Sequence, residues 1–166
     1  ESIFMAVKAA RDWARQQARL KAPFNIVAPY TAHAAFNKAA DVMDLEVRRV
    51  DTNSERHADV GAMTGAMDDH TIMLVGSAPC FPHGVIDGIE ELGQLALARD
   101  IWLHVDACVG GYVAPFFQRI GRDIPAFDFA LPGVRTLSAD LHKFGFCPKP
   151  ASTLFYRFET DRERGL

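Results

Sequence analysis

The residues best suited to chemistry lie in one short stretch, 138–152, which reads SADLHKFGFCPKPAS. Within four positions it contains a carboxylate, an imidazole and an amine, from Asp140, His142 and Lys143. A lysine amine acts as a nucleophile when burial or a neighbouring positive charge keeps part of it unprotonated. His142 can supply such a charge, and the aromatic residues that follow can shield the amine from water. Lys143 is therefore a candidate nucleophile, with a solvated loop lysine as the alternative that the local sequence leaves open.

A second candidate site is the sequence His104-Val105-Asp106, which ends a predicted strand. Side chains alternate along a strand, so His104 and Asp106 are expected on one face and Val105 on the other. A buried carboxylate needs a partner, and a pyridine nitrogen that it keeps protonated is one such partner. Asp106 is thus a candidate ligand for a ring of this kind, or else a structural cap. The Gly110-Gly111 pair that follows permits a close approach of backbone or a tight turn.

His33 is the third candidate, and it is predicted to lie early in a helix. Asn37 comes four residues later and would share the same helix face. A flat imidazole there could stack on an aromatic ligand, and a histidine satisfied in the core or at the surface is the alternative. His83, in the sequence Phe81-Pro82-His83-Gly84, is interpreted as a turn residue.

Alternating strands and helices must position these residues. Apolar runs predict strands, and apolar residues at three-to-four spacing predict helices. The predicted strands span residues 24–28, 45–50, 71–77, 101–105, 134–139 and 152–158. The predicted helices span residues 2–20, 31–43, 58–67 and 87–99. Several strands are apolar on both faces, which predicts a three-layer α/β fold with a mainly parallel sheet and helices on both faces. In such folds the ligand site lies at the carboxyl ends of the strands.

Composition restricts the class of partner. The 166 residues carry a formal net charge of −3 and no dense cluster of lysine and arginine, which argues against a nucleic-acid or anionic-membrane surface. Three widely spaced cysteines without a CxxC pair indicate neither a disulfide framework nor a zinc site, so a reducing, cytoplasmic compartment is expected. No apolar run is long enough to span a bilayer. Because the chain begins in mid-pattern at Glu1, it is interpreted as part of a longer protein, and a membrane anchor upstream stays an open alternative.

Four sequence blocks, taken together, resemble one enzyme family. They are residues 31–39, 81–87, 104–111 and 138–149, which read TAHAAFNKA, FPHGVID, HVDACVGG and SADLHKFGFCPK. In this order and spacing they resemble the pyridoxal-phosphate enzymes of fold type I, in the branch of the group II decarboxylases and sphingosine-1-phosphate lyases, and the lyases more closely. The resemblance implies that residues 1–166 form an incomplete pyridoxal-phosphate-binding large domain. The N-terminal segment and C-terminal small domain of a homodimeric enzyme would then lie outside this sequence.

The resemblance also implies roles for individual residues in binding pyridoxal 5'-phosphate. Lys143 would hold this cofactor covalently, and Asp106 would pair with its ring nitrogen. His33 would stack on the ring, and His142 would reach toward the phosphate. Lys149 would lie near the substrate, and no metal is expected. The expected cofactor-binding residues are therefore His33, Asp106, Ser138, His142 and Lys143.

The activity implied by the resemblance is cleavage of a carbon–carbon bond. A phosphorylated long-chain base, of the sphingosine-1-phosphate type, would be split into a fatty aldehyde and phosphoethanolamine. An amino-acid decarboxylase is the alternative within the family, and a non-catalytic fragment or degenerate relative is a third hypothesis. Pro150 favours the third, because the family usually carries glycine there and proline lacks a backbone N–H. A non-haem iron site made of His104, Asp106 and His142 is an alternative with different chemistry.

Overall fold

The structure, a computed structural model, describes residues 1–165 and contains a six-stranded sheet. The strands are β1 (Asn25–Pro29), β2 (Glu46–Val50), β3 (Thr71–Ser77), β4 (Trp102–Asp106), β5 (Val134–Asp140) and β6 (Ser152–Tyr156). The helices are α1 (Ser2–Ala14), α2 (Ala35–Val42), α3 (Val60–Ala66), α4 (Ile89–Arg99), α5 (Ala114–Arg119) and α6 (Glu159–Gly165). The strand order is β2-β1-β3-β4-β5-β6. The first five strands in this order are parallel, and β6 runs antiparallel to β5.

Helices cover both faces of the sheet, and each face has its own hydrophobic core. On the face called here the front face, α1 and α2 pack on side chains that include Ile26, Val75 and Trp102. On the opposite face, α3 and α4 pack on side chains that include Val27 and Leu103. Strands β1, β3 and β4 are buried at every residue because both of their faces are covered. The predicted three-layer, mainly parallel α/β fold is confirmed.

Two helix boundaries differ from the sequence prediction in ways that affect the site. The first helix ends at Ala14 rather than at residue 20, and the second begins at Ala35 rather than at residue 31. His33 therefore lies in the loop before α2, and its predicted place early in a helix is wrong. The physical reason is tertiary, because hydrogen bonds from Arg49 on β2 hold three carbonyls of residues 29–33 in a loop conformation.

The short helices α5 and α6 have no counterpart in the sequence prediction. A buried ion pair fastens α6, since the Asp161 carboxylate accepts two hydrogen bonds from Arg135 of β5, at 2.6 and 2.9 Å. The Arg135 guanidinium also lies over the ring of Trp102, 4.2 Å from the ring centroid. These contacts join residues that are distant in sequence, so local periodicity carries no signal of α6. Within residues 1–165, no helix combines the length and apolar character that crossing a membrane requires.

Candidate active site

Three adjacent parallel strands place polar residues side by side at the carboxyl edge of the sheet. In the strand register, Ser77 of β3 lies beside Asp106 of β4, which lies beside Ser138 of β5. Asp140, two residues after Ser138, points to the same face of β5. This is the front face, because the ring of His104 on β4 packs against a phenylalanine of α2, with 5.8 Å between the ring centroids. The two candidate sites on β4 and after β5 thus lie next to each other.

Asp106 is a buried carboxylate that its neighbours hold in place, with 7% of its surface exposed. Its Oδ1 accepts a hydrogen bond from the backbone N–H of Cys108 at 3.1 Å and another from the Ser138 hydroxyl at 3.4 Å. Both bonds reach the same oxygen, which leaves Oδ2 for a further donor. A carboxylate fixed in this way is suited to pair with a cationic N–H group of a ligand.

His104 lies two residues before Asp106 on β4, farther from the carboxyl edge, and it is fully buried. Its Nδ1 is 2.9 Å from the Thr136 hydroxyl and its Nε2 is 3.3 Å from the Ser138 hydroxyl. Burial lowers the pKa of His104 to about 4, against the opposite effect of the Asp106 charge, so the ring is neutral at pH 7. Because Ser138 contacts both His104 and Asp106, the expectation that these two side chains share a face is confirmed. Both ring nitrogens of His104 face hydroxyls, so the geometry does not support the non-haem iron alternative.

Ser138 and Cys108 complete the support of Asp106. Ser138 is fully buried, and the Cys108 thiol lies 3.3 Å from its hydroxyl oxygen. Burial and the nearby Asp106 charge raise the pKa of Cys108, so the thiol stays protonated. Ser138 therefore supports Asp106 through the hydrogen bond to its carboxylate. A direct contact between Ser138 and a cofactor stays a prediction. Sequence reasoning missed Cys108, although its place two residues after a buried carboxylate was a usable signal.

Lys143 makes an ion pair with a second buried carboxylate, Asp140. Its Nζ is 2.9 Å from Asp140 Oδ2, and the lysine side chain is about a third exposed. The Ser152 hydroxyl of β6 donates a hydrogen bond to the other carboxylate oxygen of Asp140. Burial acts to raise the pKa of Asp140, but the hydrogen bonds from Ser152 and Lys143 outweigh it and hold this pKa below its usual range. The candidate nucleophile thus lies on the front face, at the same edge as Asp106.

His142 fastens the loop that follows Lys143. Its Nδ1 is 2.8 Å from the carbonyl oxygen of Ala151, and its backbone N–H donates to the same carbonyl at 3.1 Å. Its Nε2 lies 3.6 Å from Asp140 Oδ2. The predicted contact of His142 with a phosphate therefore depends on Nε2 and stays a prediction. Lys149 lies in the exposed part of this loop, so its predicted place near the substrate also stays a prediction.

His33 lies in the loop beyond the carboxyl end of β1, with its ring exposed. Its Nδ1 accepts a hydrogen bond from the backbone N–H of Ala35 at 3.0 Å, at the start of α2. Thr31, two residues earlier, is buried, and its hydroxyl has no hydrogen-bond partner in the described part of the chain. The sheet order places β3 between this loop and Asp106. The loop thus offers an exposed imidazole and an unused buried hydroxyl at the carboxyl edge.

Gly110 allows two loops of this edge to pack closely. A Cβ atom at Gly110 would lie 2.4 Å from the carbonyl oxygen of Ala78 and 2.6 Å from Cδ of Pro79, in the loop after β3. Any side chain would force these loops apart. The close backbone approach expected from the glycine pair is confirmed at this position.

Comparison with known proteins places the chain in a family. A family model described as "Pyridoxal-dependent decarboxylase conserved domain" matches residues 2–164. The chain belongs to the pyridoxal-dependent decarboxylase family. Its curated relatives include the sphingosine-1-phosphate lyases of Oryza sativa subsp. japonica, 49% identical over 95% of this chain, and of Dictyostelium discoideum, 45% identical over 94%. The chain spans 29% of the length of each of these relatives.

Solved structures agree with this membership of the pyridoxal-dependent decarboxylase family. A sphingosine-1-phosphate lyase from Burkholderia pseudomallei matches with a TM-score of 0.95 and 42% identity, over 99% of this chain and 38% of that chain. A glutamate decarboxylase from Lactobacillus brevis matches with a TM-score of 0.87 over 97% of this chain and 38% of that chain. At 22% identity, the second match shows the shared fold alone. The family and fold expected from the four sequence blocks are confirmed.

Proposed function

We propose that the full-length protein is a pyridoxal-phosphate-dependent lyase that cleaves a phosphorylated long-chain base into a fatty aldehyde and phosphoethanolamine. One observation carries the proposal: the Lys143 amine and the Asp106 carboxylate lie on one face and at one edge of the sheet. A group that bonds to the amine and pairs its ring nitrogen with the carboxylate requires this arrangement. Relatives named sphingosine-1-phosphate lyases, 45–49% identical to the chain, support the choice of substrate.

The residues at this edge have the chemistry that pyridoxal phosphate needs. Lys143 offers a primary amine for the cofactor's aldehyde, and Asp106 offers Oδ2 for its ring nitrogen. Thr31 offers a buried hydroxyl that has no partner among residues 1–165. His33 and His142 would contact the ring face and the phosphate. When bound, the cofactor supplies an electron sink for the bond that breaks.

The side chains of the site would act through charge and orientation. The ionised carboxylate of Asp106 favours a protonated ring nitrogen, because an opposite charge at hydrogen-bond distance stabilises the cation. His104 is neutral, so it does not compete for this carboxylate. Asp140 holds the Lys143 ammonium group at 2.9 Å, which fixes the position of the amine at the carboxyl edge of the sheet. Cleavage also requires a base for the proton of the substrate hydroxyl.

The covalent role of Lys143 can be tested by spectroscopy on the full-length protein. Purified with pyridoxal phosphate, the wild type is expected to show a visible absorption band that borohydride reduction removes. The Lys143→Ala variant should lack this band and all lyase activity. Lys21→Ala is the matched control, because Lys21 is an exposed lysine beyond the end of α1. A wild type without the band, or a Lys143→Ala variant that keeps it, would contradict the proposal.

The products distinguish the lyase from a decarboxylase. With sphingosine-1-phosphate as substrate, the full-length protein is expected to release phosphoethanolamine and a long-chain aldehyde. With aromatic or acidic amino acids, no carbon dioxide is expected. Release of carbon dioxide without phosphoethanolamine would assign the protein to the decarboxylases. If neither product is formed, the result would favour the non-catalytic alternative.

We further propose that the full-length protein is a homodimer that works in a reducing compartment such as the cytoplasm. Three free cysteines, of which Cys80 and Cys108 are buried, support the compartment, because free thiols persist under reducing conditions. The dimer is an implication of family resemblance. Mass photometry of the full-length protein at nanomolar concentration should give twice the mass of one chain, and a monomer would contradict this part of the proposal.

A further inference from the structure

Arg49, near the carboxyl end of the edge strand β2, directs its whole guanidinium group at the loop that carries His33. Its Nη1 donates to the carbonyls of Pro29 and Ala32, both at 2.9 Å, and its Nη2 donates to the carbonyl of His33 at 3.2 Å. Its Nε donates to the side-chain oxygen of Asn37 at 3.2 Å, and its Nη2 contacts the same oxygen. One side chain thus clamps the end of β1, the loop and the first turn of α2.

This guanidinium has an unusual electrostatic environment. In the described part of the chain, no carboxylate lies within ion-pair distance of Arg49, whereas the adjacent Arg48 pairs with Glu46 and Asp68. Burial lowers the pKa of Arg49, with a smaller opposing effect from Tyr30. A partly buried cation with only neutral acceptors gains no ion pair to offset its desolvation. Its stabilising effect therefore comes from the geometry of a planar fork with five donors, which a lysine ammonium group cannot reproduce.

His33 depends on this clamp because little else fixes it. The only hydrogen bond of its imidazole within residues 1–165 is the local one from the Ala35 N–H, and the ring is exposed. The position of the ring is thus set by the backbone of the loop. Arg49 holds that backbone at the His33 carbonyl itself and at the preceding residue. Thr31 lies in the same loop, whereas the remaining candidate cofactor residues lie on β4, on β5 and after β5, beyond β3 in the sheet.

We propose that Arg49 is a positioning residue that acts through His33: it holds the loop so that the imidazole lies over the cofactor ring. This inference rests on the proposed function, in which His33 stacks on pyridoxal phosphate. It assigns Arg49 no contact with substrate or cofactor. Loss of the clamp should therefore weaken cofactor binding and change the orientation of the bound cofactor, while the covalent role of Lys143 remains.

The test compares Arg49→Lys with Arg48→Lys in the full-length protein. Lysine keeps the charge at either position but cannot make the five-donor contact. For Arg49→Lys we expect about tenfold weaker binding of pyridoxal phosphate, since at least two hydrogen bonds are lost, and a reduced visible circular dichroism signal at cofactor saturation. Arg48→Lys is the matched control, because Arg48 is the neighbouring residue on the opposite face of β2, and both readouts should stay within twofold of the wild type.

A double-variant cycle decides whether Arg49 acts through His33. If it does, Arg49→Lys should weaken cofactor binding less than twofold in a His33→Ala background, although it weakens it about tenfold alone. Independent, multiplying effects of the two substitutions would overturn the inference, as would unchanged binding in Arg49→Lys. Failure of the proposed function has a different signature, because the wild type would then show no cofactor band.

Discussion

Replacing Asp140 with asparagine tests the electrostatic account of the site most directly. The substitution keeps the shape of the side chain and removes its charge. Asparagine can still accept the hydrogen bond from Ser152 through its oxygen. Its NH₂ group then faces the Lys143 ammonium, which lies 2.9 Å from Oδ2 in the wild type. Two donors meet there, so one charge-assisted hydrogen bond is lost.

The expected loss of stability is about 1 kcal/mol at pH 7. A hydrogen bond to a charged group contributes about 1.5–3 kcal/mol. Two effects reduce this figure for Asp140. Burial of the carboxylate opposes its ionisation, and asparagine relieves that cost. The Lys143 side chain is 33% exposed, so water can solvate its ammonium group once the carboxylate is gone. Partly exposed ion pairs contribute less to stability for this reason.

The sign of the pH dependence follows from the lowered pKa of Asp140. A carboxyl group with a depressed folded-state pKa stabilises the fold at neutral pH, and this contribution is lost as the pH falls through that pKa. Urea unfolding of the wild type and Asp140→Asn should therefore differ by about 1 kcal/mol at pH 7, with the difference shrinking below about pH 4. Asp123→Asn is the control, because Asp123 is exposed and makes no ion pair within residues 1–165. A difference that does not change with pH, or a variant as stable as the wild type at pH 7, would refute the reasoning.

Three further substitutions test contacts that stabilise the fold, each measured by urea unfolding at pH 7. Asp161→Asn should cost about 3 kcal/mol, because it removes a fully buried carboxylate from Arg135, whose side chain is only 19% exposed. A loss below about 1 kcal/mol would mean that other contacts hold α6. Gly110→Ala should cost about 2 kcal/mol, because its Cβ would lie 2.4 Å from the Ala78 carbonyl oxygen; an unchanged midpoint would show that the two loops separate freely. Asp87→Ala should cost about 2–4 kcal/mol, since it leaves two buried backbone N–H groups unpaired; a neutral effect would require that these groups find other acceptors.

The sequence predicted the buried strands well and the ends of several helices poorly. The strand over residues 71–77 matches β3 in full, because an apolar run covered on both faces has a strong local signal. The first helix stops at Ala14, six residues before its predicted end. Helix α6 was missed because a contact between Asp161 and Arg135 stabilises it, and these residues are 26 positions apart. Local periodicity carries no information about such a contact.

Some features of the candidate site could likewise be predicted from the sequence, and others could not. Alternation along a strand was enough to place His104 and Asp106 on one face, and four sequence blocks were enough to identify the family. The partner of Lys143 was within reach, since Asp140 lies three residues before it. The clamp formed by Arg49 was not, because it joins β2 to the loop after β1 only once the two strands pair.

The sequence by itself thus determined the family, the strands and the chemical identity of the candidate residues, because these depend on residue type and on spacing within a few positions. Only the tertiary structure decided that Ser138 supports Asp106 and that Arg49 holds the loop of His33. The physical reason is that strand order and register bring these side chains together. Hydrogen bonds at about 3 Å depend on that packing, which no single segment contains.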